Sequence, residues 1–236
     1  MIPKTVHYCW FGRGEKPKLV KKCIETWKKY LPDYALTEWN EDNFDINSNL
    51  FVKQAYEHKN FAFVSDFVRA KALYENGGVY LDTDVEVLKG LDRFLSDKMF
   101  VGFEEKNFVG TCVMGAEKGS PILLEYTAHY EGIPYVSDDG EIYKKTNVLL
   151  LTEMLEKKGL KRDDSFQTVD GVSVYPRTFF SPYDYINGVS YITDESCTIH
   201  HFAQLWLPKS VRMKTELKRA AIKIIGGERF KKIMKR

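Results

Sequence analysis

The stretch from Asn60 to Asp84 constrains this chain more than any other. Phe63, Phe67, Ala70, Leu73 and Tyr74 recur at helical spacing, so residues 60–75 are expected to form a helix with an apolar face. Asn76-Gly77-Gly78 follows, and glycine at a helix end adopts backbone that side-chain-bearing residues resist. Val79-Tyr80-Leu81 is a short apolar run, the mark of a buried strand. The polar triplet Asp82-Thr83-Asp84 then falls at the carboxyl end of that strand. Ligands of open α/β sheets bind at that end, so chemistry is expected at the triplet.

The rest of the chain repeats the alternation. Residues 5–11 are β-branched and aromatic and stop at Gly12-Arg13-Gly14, which predicts a strand and a turn. Leu19, Val20, Cys23, Ile24 and Trp27 give residues 18–30 the pattern of an amphipathic helix, ended by Pro32. Residues 34–39 read as the next strand. Strand, helix, strand predicts an α/β domain with a mainly parallel central sheet. Further strands are expected at 99–103, 111–116 and 197–202, with helices at 122–129 and 148–157. With 236 residues and 44% apolar content, one large domain can bury a core.

Charge is unevenly distributed. Residues 209–236 hold 11 Lys/Arg against Glu216 and Glu228, a net +9, while the remainder carries 24 Lys/Arg against 31 Asp/Glu, a net −7. The tail reads as a basic helix or helix pair, broken near Gly226-Gly227, on a domain spanning 1–208. Such a tail is suited to an anionic surface, and Ile222, Ile224, Ile225, Phe230, Ile233 and Met234 give it an apolar side. An acidic body without a nucleic-acid motif argues against a nucleic-acid binder. Cys9, Cys23, Cys112 and Cys197 match no zinc spacing and are expected as reduced thiols. Met1-Ile2-Pro3-Lys4 runs straight into a strand with no apolar leader, and no run of about 18 apolar residues occurs. A cytoplasmic protein, peripheral at the inner face of the membrane, is expected.

Two carboxylates spaced D-x-D at a strand end face one side. They can share a divalent cation, or one can take the cation and the other a sugar or ribose hydroxyl. Hard oxygens suit Mg²⁺ or Mn²⁺, which grip a diphosphate and offset the charge that develops as it departs. Alone, the spacing equally describes a solvated turn. Asp66 and Arg69, three apart on the preceding helix, share a face and would otherwise be an ordinary intrahelical pair.

The run from Ser65-Asp66-Phe67-Val68-Arg69 through Asn76-Gly77-Gly78 to Asp82-Thr83-Asp84 closely resembles the signature of family 32 glycosyltransferases, which have a sugar-binding region containing a D-x-D motif. That family holds yeast mannosyltransferases and bacterial capsule enzymes, and clostridial glucosylating toxins are more distant relatives. The opening segment 2–12 and the late segment Ile199-His200-His201-Phe202-Ala203-Gln204-Leu205-Trp206 are similar to its first and last blocks.

The resemblance implies a GT-A fold for residues 1–208, a nucleotide-sugar donor such as a UDP-sugar, Mn²⁺ or Mg²⁺, and retention at the anomeric carbon. It implies that Trp10 stacks on the base, that Asp66 faces ribose or sugar hydroxyls and that Arg69 orients the donor sugar. It further implies that Asp84 and His201 hold the metal, Asp82 takes a donor hydroxyl or a metal-bound water, and the Trp206 indole donates to the diphosphate. His200 is expected to point away from the site. Thr146-Asn147 stands where family members often carry Gly-Pro, and Gln204 where many carry Ser.

The reaction implied is transfer of a hexose, from UDP-galactose, UDP-glucose or UDP-N-acetylglucosamine ahead of GDP-mannose. The acceptor expected is a hydroxyl of a lipid-linked saccharide in capsule or lipopolysaccharide synthesis. A covalent route would need a carboxylate beneath the anomeric carbon, and Glu104, Glu105, Asp138 and Asp139 are the loop candidates. Competing readings are a catalytically silent nucleotide-sugar-binding module and a metal phosphohydrolase. The second leaves Trp10 and Trp206 without a role.

Overall fold

In the computed structural model, which describes residues 1–185 and 188–204, the chain opens with β1 (Thr5–Cys9). Val6, His7, Tyr8 and Cys9 are all buried, as a strand covered on both faces requires. Then follow α1 (Lys18–Tyr30), β2 (Ala35–Trp39), α2 (Leu50–Glu57), α3 (Phe61–Asn76), β3 (Gly78–Leu81) and β4 (Val85–Val87). Next come β5 (Met99–Phe103), β6 (Val109–Ala116), α4 (Pro121–Glu131), α5 (Asn147–Glu156), β7 (Gln167–Val169) and β8 (Val172–Tyr175). α6 (Arg177–Phe180), β9 (Tyr183–Asp184), β10 (Val189–Ser190) and β11 (Thr198–His200) close the described chain.

Seven strands form the central sheet in the order β2-β1-β3-β6-β5-β8-β7. β1 pairs in parallel with β2 and β3, and β5 with β8, whereas β6 runs against both β3 and β5. β7 runs against β8. Five of the seven strands therefore share one direction, and the mainly parallel α/β sheet expected from the alternation is what forms. Successive residues of β3 serve opposite faces. Tyr80 joins the cluster built from α2, α3, α4 and α5, while Val79 and Leu81 join the one built from α1, β4 and α6. Most of the aromatic content is spent there. Phe51 alone meets Tyr130, Tyr135, Tyr143 and Phe63 with ring centroids 4.8–6.2 Å apart.

The α3–β3 junction follows the sequence closely. Gly77 (φ 68°) and Gly78 (φ 111°) turn the chain out of the helix and directly into the strand. A Cβ on Gly78 would lie 2.7 Å from the Thr5 carbonyl oxygen, so the close pairing of β3 with β1 leaves no room for a side chain. His7 locks the same corner. Its Nδ1 accepts from Trp39 Nε1 at 3.1 Å, which leaves the proton on Nε2 to donate to the Gly77 carbonyl at 2.9 Å.

Beyond the triplet the chain continues as β4, which pairs antiparallel with β11 in a separate two-stranded ribbon. Trp27 of α1 donates its indole N–H to the Val85 carbonyl at 2.7 Å and fixes this ribbon to the helix layer. The four cysteines are buried free thiols. No helix among the described residues is long and apolar enough to cross a membrane. The basic segment 209–236 lies outside the described residues.

Candidate active site

The triplet is a tight turn at the carboxyl end of the parallel half of the sheet. Asp82 N–H donates to Cys112 O at 2.8 Å as the last bond to β6, and Val85 N–H donates back to Asp82 O at 2.9 Å. Asp84 is buried, and Asp82 keeps partial exposure.

Behind Asp82 stands a buried polar network centred on Arg69. Its Nη2 lies 3.0 Å from Asp66 Oδ1 and its Nη1 3.1 Å from Asp82 Oδ1. Nη1 also donates to the Thr111 carbonyl at 3.0 Å, and the guanidinium rests over the Tyr80 ring at 4.7 Å. Tyr80 O–H donates to Asp82 Oδ1 at 3.0 Å. Asn147 Nδ2 donates to Asp66 Oδ1 at 2.6 Å and to Thr111 Oγ1 at 2.8 Å. Asp66 and Arg69, at i, i+3 spacing, are thus a buried pair that bridges α3 to the triplet, not a solvated helix pair. Burial pushes the Asp66 carboxyl up to about 7, against the pull of Arg69, and the Asp82 charge adds to the rise. Burial also opposes the guanidinium charge, but Asp82, Tyr80 and Asp66 outweigh it and keep Arg69 charged.

The histidine at the triplet is His200. The β4–β11 register sets Val85 opposite His200, and the next residue, His201, donates its backbone N–H to Asp84 O at 3.1 Å. Adjacent side chains on a strand leave in opposite directions. His200 Nε2 therefore comes within 3.4 Å of Asp84 Oδ1, while His201 Nε2 reaches Glu86 Oε2 at 2.9 Å. This exchanges the two histidines relative to the expectation, which gave His201 to the metal and turned His200 away. Sequence alternation predicted opposite faces correctly; only the pairing register with β4 says which face meets the triplet. Burial works against the Asp84 charge, but His200 and the Ala203 N–H at 2.7 Å hold its carboxyl at about 2. One ligand atom from each of Asp82, Asp84 and His200 lies within 4.8 Å of the others. Two carboxylate oxygens and an imidazole nitrogen fit Mn²⁺ or Mg²⁺.

Of the four carboxylates weighed for a covalent route, Glu104 is the one carried to this site. It follows β5 directly and lies over Gly110 of β6, where a Cβ would stand 2.8 Å from its Oε2. Burial raises Glu104 to about 7, with His200 opposing and Asp82 and Glu105 adding to the rise. Asp138 and Asp139 sit on an exposed turn, where Asp139 bonds Ser137. Trp10 leaves β1 at the same end of the sheet. It is half-buried, its indole N–H donates to Gly14 O at 2.7 Å, and the Lys16 ammonium sits 5.5 Å over its ring. Trp206 lies outside the described residues.

Sequence reasoning missed Tyr80, Thr111 and Cys112 as site residues and met Asn147 only as a departure from a family pattern. Asn147 alone carried a signal, an amide beside Thr146, which caps α5 by accepting from Leu149 N–H at 3.3 Å. Tyr80 and Cys112 look like core from the sequence, and both are buried.

Residues 17–101 match the family model described as the glycosyltransferase sugar-binding region containing DXD motif. The chain is 30% identical over 131 residues to inositol phosphoceramide mannosyltransferase 3 of Schizosaccharomyces pombe, an alignment covering 52% of this chain and 36% of that protein. It is 28% identical over 154 residues to mannosyl phosphorylinositol ceramide synthase CSH1 of Saccharomyces cerevisiae, covering 58% of this chain and 39% of that protein. The chain therefore spans about two fifths or less of the length of these curated relatives. Among solved structures it is similar to the galactosyltransferase LgtC in complex with donor and acceptor sugar analogs, with a TM-score of 0.47 at 11% identity over 92% of this chain and 95% of that one. The region that matches the family model holds Asp66, Arg69 and the Asp82-Thr83-Asp84 triplet, and the chain brings His200 to it from outside that region.

Proposed function

We propose that the chain is a GT-A-type, metal-dependent glycosyltransferase that moves a hexose from a nucleoside-diphosphate sugar to an acceptor hydroxyl with retention. The observation that carries this reading is the convergence of Asp82, Asp84 and His200 at the carboxyl end of β3, backed by the buried Arg69 bridge to Asp66. Asp84 and His200 are the side chains suited to hold Mn²⁺ or Mg²⁺, which when bound offsets the charge developing on the departing diphosphate. Asp82 presents a carboxylate to a donor hydroxyl or a metal-bound water. Arg69 fixes the orientation of both Asp66 and Asp82, and such fixed polarity is the main resource of group-transfer sites. Trp10 offers a ring for the base, and the Trp206 indole N–H is proposed to meet the diphosphate. For retention, the same-face route asks only that the leaving diphosphate accept the acceptor proton. The covalent route asks for a carboxylate, and Glu104 is the candidate.

The names of the two yeast relatives return mannose to the candidate donors beside galactose, glucose and N-acetylglucosamine, with GDP-mannose beside the UDP-sugars. They also name lipid acceptors. A hydroxyl on a lipid-borne acceptor is common to them and to the capsule or lipopolysaccharide expectation, and it is the acceptor class we favour. Peripheral membrane contact through the basic segment 209–236 belongs to the same proposal.

The test is release of nucleoside diphosphate from UDP-galactose, UDP-glucose, UDP-N-acetylglucosamine and GDP-mannose, with Mn²⁺ and with chelator. One donor is expected to turn over only with the cation, and Asp84→Ala is expected to abolish that turnover. Turnover that survives both chelation and Asp84→Ala would sink the assignment. Metal-dependent binding without any turnover would instead favour the silent binding module.

A further inference from the structure

Beside the triplet lies a second group of side chains that the transfer reaction does not employ together. Glu104, at the end of β5, Cys112, in β6, and His200, in β11, each offer a ligand atom within 4.8 Å of the other two. Oxygen, sulfur and nitrogen from three different strands or strand ends converge there. Cys112 is buried at 3% exposure, and none of Cys9, Cys23 or Cys197 falls in such a group among the described residues.

His200 supplies an independent observation. Its Nε2 faces Asp84, but its Nδ1 is buried and has no hydrogen-bond partner. A buried ring nitrogen without a partner is uncommon, because the lost hydration is normally replaced. A cation bound at that nitrogen would replace it. Gly110 matters to the same geometry, since the space a Cβ would fill is where the Glu104 carboxylate lies.

We propose that Glu104, Cys112 and His200 form a second cation site, selective for thiophilic dications such as Zn²⁺, which shares His200 with the Asp82–Asp84 site and so sets Zn²⁺ against the hard cation. A thiolate, an imidazole and a carboxylate with an open fourth position suit Zn²⁺ and disfavour Mg²⁺. Adjacent ligand atoms around tetrahedral zinc are separated by about 3.5 Å, so groups within 4.8 Å of one another need to close by at most about 1.3 Å. On binding, the Cys112 S–H bond breaks, the zinc–sulfur bond forms and the proton leaves to solvent, with no change of oxidation state. Zinc held there engages His200 and Glu104 together. The antagonism rests on the reading of Asp84 and His200 as hard-cation ligands; the second site itself rests only on the geometry.

The experiment is a Co²⁺ titration of the full chain followed by absorbance, which needs no turnover. A thiolate-to-cobalt charge-transfer band in the near ultraviolet is expected at one equivalent, and Zn²⁺ is expected to bleach it. Cys112→Ser should lose the band and Cys197→Ser should keep it, with melting curves confirming that both fold. Glu104→Gln should keep the band but weaken cobalt binding at least about tenfold. Zn²⁺ should inhibit Mn²⁺-dependent turnover of the wild type at concentrations at least about tenfold below those needed for Cys112→Ser. No band in the wild type, or the same band in Cys112→Ser, overturns the proposal. Either result beside intact Mn²⁺-dependent turnover leaves the transferase reading standing, and a Cys112-dependent band without any turnover fails that reading alone.

Discussion

Replacing Arg69 with Met keeps most of the side chain's volume but removes the cation that joins Asp66 to Asp82. That change removes the ion pairs at 3.0 and 3.1 Å, the bonds to the Thr111 carbonyl at 3.0 Å, the Thr111 hydroxyl at 3.3 Å and the Ser65 carbonyl at 3.2 Å, and the cation over Tyr80 at 4.7 Å. Asp66 is left buried with Asn147 as its remaining donor. Removing one partner of a buried ion pair costs about 3–5 kcal/mol, mostly through the charge left behind. That is a large part of a total stability of about 5–15 kcal/mol. For a chain of this size it corresponds to a melting shift on the order of 6–20 °C. The loss should also depend on pH. Without Arg69 the folded pKa of Asp66 rises further above its unfolded value, so the folded state binds more protons than the unfolded one. The variant therefore loses stability as pH rises toward 7 and recovers part of it at pH 5. Adding Asp66→Asn to Arg69→Met should restore stability, giving a coupling energy of about 1 kcal/mol or more. Urea unfolding of the four proteins of this cycle at both pH values measures all of it. A cost below about 1 kcal/mol at pH 7, with no coupling, is what a solvated pair gives and would refute the buried bridge.

Three further outcomes follow from the same geometry. His200→Ala should raise the Mn²⁺ concentration needed for half-maximal turnover at least about tenfold, and His201→Ala, which disturbs only the Glu86 contact, should change it far less; the reverse order in a Mn²⁺ titration would return the metal role to His201. Gly78→Ala places a Cβ against the Thr5 carbonyl at φ 111° and should cost about 2–4 kcal/mol in urea unfolding, whereas a loss within 0.5 kcal/mol, as at an ordinary surface site, would contradict the tight α3–β3 corner. Burial lowers the His7 pKa below 6.5, so the unfolded chain takes up a proton there before the folded one does, and stability should fall as pH drops below about 6.5, by up to about 1.4 kcal/mol per pH unit; His7→Gln should remove that part of the slope, and an unchanged slope would show that His7 is not its source.

The sheet was legible where local and tertiary demands agree. The helix expected at 60–75 is α3, and the glycine stop and the strand before the triplet are where the glycine pair and the apolar run put them. Residues 18–30 and 99–103 form the expected helix and strand without change of bounds. The strand expected at 5–11 ends at Cys9; Trp10 N–H still donates to Trp39 O at 2.9 Å, and the chain then turns away at Gly12. α2 was not anticipated, although Asn49 caps it by accepting from Val52 N–H at 3.0 Å; eight residues give too few turns for a periodic signal. β7 and β8, three and four residues long, were missed for the same reason.

At the site, the acidic triplet, Asp66 and Arg69 were readable because they lie on one continuous helix–turn–strand unit. His200, Cys112 and Asn147 were not, and Glu104 was readable only as one of four loop carboxylates, because each reaches the triplet through a pairing between segments distant in sequence. The choice between His200 and His201 rests on one residue of strand register. Sequence alone contains the alternation but not the partner that fixes it.

In the proposed reaction, Asp82, Asp84 and His200 bind a nucleotide sugar through a divalent cation. A thermal-shift panel of UDP-galactose, UDP-glucose, UDP-N-acetylglucosamine and GDP-mannose, each with and without Mn²⁺, measures that binding. A ligand at 100 times its dissociation constant adds about 2.7 kcal/mol, or a rise of roughly 5–10 °C for a chain of this length. One donor is expected to give this rise only with Mn²⁺, and Asp84→Ala is expected to lose it. A panel in which no nucleotide sugar raises the melting temperature, or in which the rise is the same without the cation, would rule out a cation-bridged donor at Asp82, Asp84 and His200.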